Sequence, residues 1–247
     1  MLRRYPERMN LRLGCIVTVV AIVVCGAGSA RAELRDPTPA EKAVLDKVID
    51  AIGKTLDGID NDDWEKSQDF YDGNPQVNDH PAVPLDINQN FQRDYRVRVG
   101  SRREQEVLKP LEEQLMSASS VEAKVAIGRK LRPLTTLTAY AYINMGTVDV
   151  KQAPNPGLTV AGAAFVYAVE PSEAFCQSGA SCYLLGFGNW QAARRKPGEQ
   201  ALRFPFAHKP GTPFVENVVI RLTGADDRIR ELLRTVDWNA LNDALTR

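Results

Sequence analysis

Residues 160–190, VAGAAFVYAVEPSEAFCQSGASCYLLGFGNW, read as two strands, Val160–Val169 and Cys182–Trp190, joined through Glu170–Ser181. In the first, Ala163, Phe165, Tyr167 and Val169 fall on one face and Ala164, Val166 and Ala168 on the other. Both sets are apolar, so this strand is expected to lie centrally in a sheet, covered on both sides. The second alternates Tyr183, Leu185 and Phe187 with Leu184, Gly186, Gly188 and Trp190. Glycines inside a strand mark a bulge or a close approach. Here the rings of Phe187 and Trp190 are expected to cover them. The rival reading is a groove floor with a ligand over the glycines.

The joining stretch holds Cys176 and Cys182, the only cysteines beyond the first 32 residues. The short, Gly-containing segment between them has hairpin length and sets the two sulfurs opposite each other. A structural disulfide is expected, stabilising the fold by about 2 kcal/mol on the chain-entropy argument. The spacing is not the C-x-x-C of a redox pair, and zinc needs more ligands than these two.

Ahead of this pair, the N-terminus is basic (Arg3, Arg4, Arg8, Arg12), then apolar from Leu13 to Ala27, then small at Ala30-Arg31-Ala32. That succession is the pattern of a secretory signal peptide over residues 1–32, leaving 33–247 as a single domain. The apolar run is shorter than the roughly 20 residues of a membrane-spanning helix, and no other stretch is long enough. The whole chain is formally neutral. Removing a leader that holds five arginines (Arg3, Arg4, Arg8, Arg12, Arg31) and Glu7 leaves the remainder mildly acidic. No basic block is left, which argues against nucleic-acid binding. The chain has no Asn-x-Ser/Thr sequon, which favours a bacterial periplasmic or secreted protein over a eukaryotic one.

The helices announce themselves. Thr38-Pro39-Ala40-Glu41 is a capping box, followed by Val44, Leu45, Val48, Ile49, Ile52 and Leu56 at helical spacing. A helix over Pro39–Leu56 follows. Val107–Leu115 reads as helix, with Pro110 a kink or late start, and Val121–Leu131 as another, capped at Ser119-Ser120 and stopped by Pro133. Ile229, Leu232, Leu233 and Val236 place a further helix after Asp226 or Asp227, extended by Trp238, Leu241 and Leu245.

Thr136–Met145 alternates without a break: Leu137, Ala139, Ala141, Ile143 and Met145 against Thr138, Tyr140, Tyr142 and Asn144. Arg93–Val99 alternates Tyr95, Val97 and Val99 with Arg96 and Arg98, a half-buried strand whose basic face should meet an acidic turn. Gly146–Gly157 reads as a loop, Val215–Leu222 is the closing strand, and Ala201–Pro205 a short one. The fold expected is α+β: an antiparallel sheet of about five strands, mainly in meander order, with the N- and C-terminal helices side by side on one face.

The acid-rich stretch Asp57, Asp60, Asp62, Asp63, Glu65, Asp69 and Asp72 departs from the EF-hand template. Counted from Asp60, its fifth and sixth positions are Trp64 and Glu65. It reads instead as a polar turn in which Asp62 or Asp63 caps a short helix carrying Trp64, with calcium left open. Gly53-Lys54-Thr55 has no first glycine for a phosphate loop, that position being Val48. There is no G-x-S-x-G, S-x-x-K or H-E-x-x-H motif, and two histidines exclude a three-His metal site. No catalytic residue, metal ligand or cofactor is nominated. The expectation is therefore an exported, non-catalytic protein that binds a small ligand or an envelope-protein partner. Tyr140, Tyr142 and Trp190 are its candidate contacts. The alternatives are a hydrolase using Asp72, Asp79, His80 or His208 in the loops, and a structural envelope protein.

Overall fold

Thr136–Ile143 forms the strand that its alternation requires, and the rest of the sheet is registered on it. The computed structural model describes residues 34–71, 77–78, 86–87, 90–149, 158–169, 180–190, 201–207 and 213–246. The expected signal peptide, Cys176, Asp72, Asp79, His80 and His208 lie outside these residues. By its contacts the chain divides into Met1–Arg31 and Ala32–Arg247, and every described residue belongs to the second unit.

In chain order the strands are β1 (Leu34–Arg35), β2 (Trp64–Tyr71), β3 (Val77–Asn78), β4 (Asp86–Ile87), β5 (Asn90–Val97), β6 (Thr136–Ile143), β7 (Thr147–Asp149), β8 (Phe165–Val169), β9 (Ser181–Gly188), β10 (Ala201–Arg203) and β11 (Asn217–Gly224). The helices are α1 (Pro39–Asp57), α2 (Lys109–Ser117), α3 (Val121–Thr135), α4 (Asp226–Thr235) and α5 (Asn239–Ala244). A π-helical turn, Glu104–Leu108, runs into α2.

The main sheet has six strands in the order β2-β5-β6-β11-β9-β8, all antiparallel. It is two meanders, β2-β5-β6 and β8-β9-β11, closed by β11 pairing with β6. The α+β expectation holds, with six strands. The central strand is not in the Val160–Trp190 pair, however. β8 is an edge strand, and β11, buried along its whole length, sits in the middle. The doubly apolar β8 is explained by cover at the edge. Val166 joins the main core, while Phe165 and Tyr167 join a second, aromatic cluster on the opposite face.

The terminal helices do lie on one face. Leu45, Val48, Ile52 and Leu56 of α1 share a core with Ile229, Leu232 and Leu233 of α4, Leu241 of α5, and the inward residues Leu137, Leu185, Ile220 and Leu222 of the sheet. α1 starts as read: Thr38 Oγ1 accepts from the Glu41 N–H at 3.3 Å, and the Glu41 carboxylate accepts from the Thr38 N–H at 2.7 Å.

Four local expectations are corrected. Trp64 opens β2 and not a helix, because its backbone pairs with Val97 of β5; its ring lies beneath the Arg103 and Arg228 guanidinium groups, 5.2 and 5.7 Å from its centroid. Pro133 does not stop α3, which runs through it to Thr135. The loop after Met145 contains β7, which pairs with β10. The glycine cover also differs. Phe187 points to the helix face and stacks on Trp238 at 6.0 Å. The ring over Gly186 is that of Phe165, 2.1 Å from where a Cβ would stand.

Candidate functional site

Tyr140 and Tyr142 project from the sheet face opposite the terminal helices, because alternate residues of β6 point apart. The register puts Tyr140 beside Arg221 and Tyr142 beside Val219. Arg221, almost buried, lays its guanidinium 4.1 Å from the Tyr140 ring centroid and 5.5 Å from that of Tyr142. The tyrosines therefore grip a cation of their own sheet. Burial raises the Tyr142 phenol above its ordinary pKa.

Trp190 belongs to the same face. It meets Phe165 edge-on at 5.3 Å and Phe204 at 4.9 Å, and Tyr142 packs against this cluster. Phe204 continues to Phe206 at 5.0 Å, and Phe206 to Phe214 at 6.2 Å. The three candidates thus stand on one surface, Tyr140 and Tyr142 around Arg221, Trp190 inside an aromatic row. The indole Nε1 of Trp190 is buried and has no hydrogen-bond acceptor among the described residues.

Phe204 of that row also lines a groove of about 560 Å³, together with Gly188, Asn189, Ala207, Glu216, Asn242, Leu245 and Thr246. The groove is built by side chain to backbone bonds where strands end. Asn144, in the left-handed region at φ 54°, donates to the Phe214 carbonyl at 3.0 Å and accepts from the Glu216 N–H at 2.9 Å. Asn217 binds Met145 both ways, accepting from its N–H at 2.9 Å and donating to its carbonyl at 3.2 Å. The last described residue closes the wall: the Thr246 N–H donates to the Val215 carbonyl at 2.7 Å, and Thr246 Oγ1 accepts from the Val215 N–H at 3.0 Å.

Gly188 is required. Its φ is +98°, and a Cβ there would stand 2.1 Å from the Glu216 carbonyl oxygen. Its N–H donates to Asn242 Oδ1 at 3.0 Å, and Asn242 Nδ2 donates to the Gly162 carbonyl at 2.6 Å. Glu216 is nearly buried, and both its carboxylate oxygens lie 3.0 Å from the Ala207 N–H. The result is a recess with an aromatic and aliphatic wall, a carboxylate on its floor and a backbone that side-chain amides hold in place. Such a recess suits a small molecule.

Glu216, Asn144, Asn217 and Asn242 were not singled out from the sequence. The sign was there in Glu216-Asn217, a polar pair set inside the apolar run Phe214–Ile220. A second hollow, of about 590 Å³, is lined by Arg129, Lys130, Pro133, Ser181 and Asp226 among others. Asp226 there is already occupied: it accepts from the Tyr183 hydroxyl at 2.6 Å and from Arg230 at 2.6 Å. Burial and this acceptor together push the Tyr183 phenol up to about 12.

The acidic stretch is largely neutralised by arginines of β5 and its end. Asp60 pairs with Arg98, Glu65 with Arg96 and Asp69 with Arg93, each at 2.7 Å, and Asp57 with Arg93 as well. Among the described residues, no group of three His, Cys, Asp or Glu side chains converges as a metal ion requires. No described helix is long and apolar enough to cross a membrane. No protein family, curated protein or solved structure matches the chain.

Proposed function

We propose that the protein is exported and acts without catalysis, by binding a small ligand in the groove between Phe204 and Glu216. The observation that carries the reading is the groove's construction. Two buried asparagines, Asn144 and Asn217, spend their amide groups on fixing the backbone around it. Such fixing makes a preformed site, which lowers the ordering cost of binding. Tyr140, Tyr142 and Trp190 support the same surface, through Arg221 and through Phe204.

The basic, apolar and small succession of the first 32 residues supports export, and in the oxidising compartment beyond the membrane Cys176 would pair with Cys182. Cys182 is buried, next to the Thr223 hydroxyl.

Native mass spectrometry of the protein purified from its own compartment tests the reading. The expected result is an added mass that disappears on denaturation and is absent from the Phe204→Ala and Glu216→Gln variants. An added mass retained by both variants removes the groove from the proposal. A bare chain in every preparation removes the tightly bound ligand.

A further inference from the structure

The groove beside Phe204 carries one sign of charge. Among the described residues that line it, Glu216 alone is ionisable, and none is a lysine, arginine or histidine. Glu216 is 8% exposed, so its charge acts in a recess whose dielectric is well below that of water. The Ala207 N–H that it accepts at 3.0 Å is a neutral donor and leaves that charge in place. A carboxylate has about four lone-pair sites, so its contacts within the chain do not close it to a further donor.

The rest of the wall sets the size and polarity of a partner. Phe204 and Leu245 give it an apolar side. Asn242 is engaged at both ends of its amide, with the Gly188 N–H and the Gly162 carbonyl, and Thr246 holds Val215. These polar side chains brace the backbone, and the carboxylate is the strongest polar feature a ligand meets. A bare metal ion is a poor occupant, because among the described residues no three His, Cys, Asp or Glu side chains converge. A volume of about 560 Å³ suits an organic molecule. An anion is a worse occupant still, since Glu216 repels it and no described lining residue offers it a cation.

We infer, resting on the reading of this groove as a ligand site, that its ligand is a small organic ammonium. The cationic head sits on the Glu216 carboxylate and the apolar body lies along Phe204 and Leu245. A hydrogen bond between an ammonium and a carboxylate is roughly twice as strong as one between neutral groups. The low dielectric of a recess strengthens the attraction further. A neutral alcohol of the same shape meets the same apolar wall and gains only the weaker bond. Glu216 therefore sets which charge is taken, while Phe204 and Leu245 supply the affinity that every ligand of that shape shares.

Ligand-observed NMR titration of the purified protein with 2-phenylethylammonium, 2-phenylethanol and 3-phenylpropionate separates the charge of a probe from its shape. The ammonium should bind with a Kd of about 1 mM or below, as its size allows. It should bind at least about tenfold more tightly than the alcohol, with the carboxylate weakest. Glu216→Gln keeps an acceptor for the Ala207 N–H and should bring the ammonium down to the affinity of the alcohol. Phe204→Ala should weaken all three probes. Asn189→Lys, at an exposed position of the wall, should weaken the ammonium and strengthen the carboxylate by about threefold each. Where circular dichroism shows that Glu216→Gln melts early, Asn189→Lys decides alone. Equal wild-type affinity for ammonium and alcohol, tightest binding of the carboxylate, or a preference for the ammonium that these substitutions leave unchanged overturns the ammonium class. In each of those cases the groove still stands as a site if Phe204→Ala weakens binding. Probes that Phe204→Ala does not weaken, or that fail to bind up to about 10 mM, overturn the groove and the ammonium together.

Discussion

The two meanders of the sheet are held by different physics. In β2-β5-β6, three arginines of β5 and its end reach across to carboxylates: Arg93 to Asp57 and Asp69, Arg96 to Glu65, Arg98 to Asp60. In β8-β9-β11 the cover is made of rings. Phe165, Trp190 and Phe204 follow one another edge-on, and Phe187 stacks on Trp238. The difference is one of tolerance. A carboxylate at the surface that loses its arginine returns to water, whereas a ring removed from a filled interior leaves a void. The groove lies at the end of the ring-covered half, where shape is fixed.

The largest effect should come from Phe187→Ala. The ring is fully buried, and its loss should cost about 3 to 5 kcal/mol in urea-induced unfolding. Arg93→Ala should cost about 2 to 3 kcal/mol, as the loss of hydrogen bonds to a charged group. Arg93 is the exception in its half, because its side chain is 6% exposed and also donates to the Gly53 carbonyl of α1 at 2.8 Å. If Arg93→Ala proved costlier than Phe187→Ala, the division into a tolerant and an intolerant half would fail.

How much of this was legible follows from the range of each interaction. Local rules set the Thr38–Glu41 capping box, the alternation of Thr136–Ile143 and the salt-bridged face of Arg96 and Arg98. The position of β8 was not legible from its own composition. Cover on both faces reads as centrality, and the aromatic cluster that covers one face of this edge draws in Trp190, Phe204 and Val219 from elsewhere in the chain. Trp64 failed for the same reason, since the strand it opens is set by pairing with Val97 of β5, further along the chain. At the candidate site the aromatic residues stood out by type. The amides did not, because Asn144, Asn217 and Asn242 act by binding backbone that arrives from other strands.

A smaller effect sharpens the comparison by pH. Glu41 belongs to neither half but to the start of α1. Two hydrogen bonds from Arg35, at 2.7 and 2.8 Å, are the main cause that lowers its pKa from 4.5 to about 2, against the opposing pull of burial. A carboxylate lowered in the folded state stabilises the fold above its ordinary value and loses that contribution as pH falls. Glu41→Gln should therefore cost about 1 kcal/mol at neutral pH, as caps do. The gap to wild type should close as pH drops from 4.5 towards about 2. A gap that stays constant over that window would mean that cap geometry, not charge, is what Glu41 supplies.

The smallest effect is the most direct test of the charged half. Arg96 is 63% exposed and Glu65 24%, so their 2.7 Å pair sits where water and salt compete with it. Arg96→Ala should change stability by no more than about 0.5 kcal/mol, and a double-mutant cycle with Glu65→Ala should return a coupling that shrinks further in molar salt. Arg98 also reaches Glu65, at 3.7 Å, so removing Arg96 leaves that carboxylate with a partner. A coupling that survived high salt would show the strand face to be drier than its exposure implies. The contrast between the halves would then be one of degree. A coupling that vanishes leaves Arg93 as the single charged anchor of that half, and the ring-covered half as the part of the sheet whose shape the groove depends on.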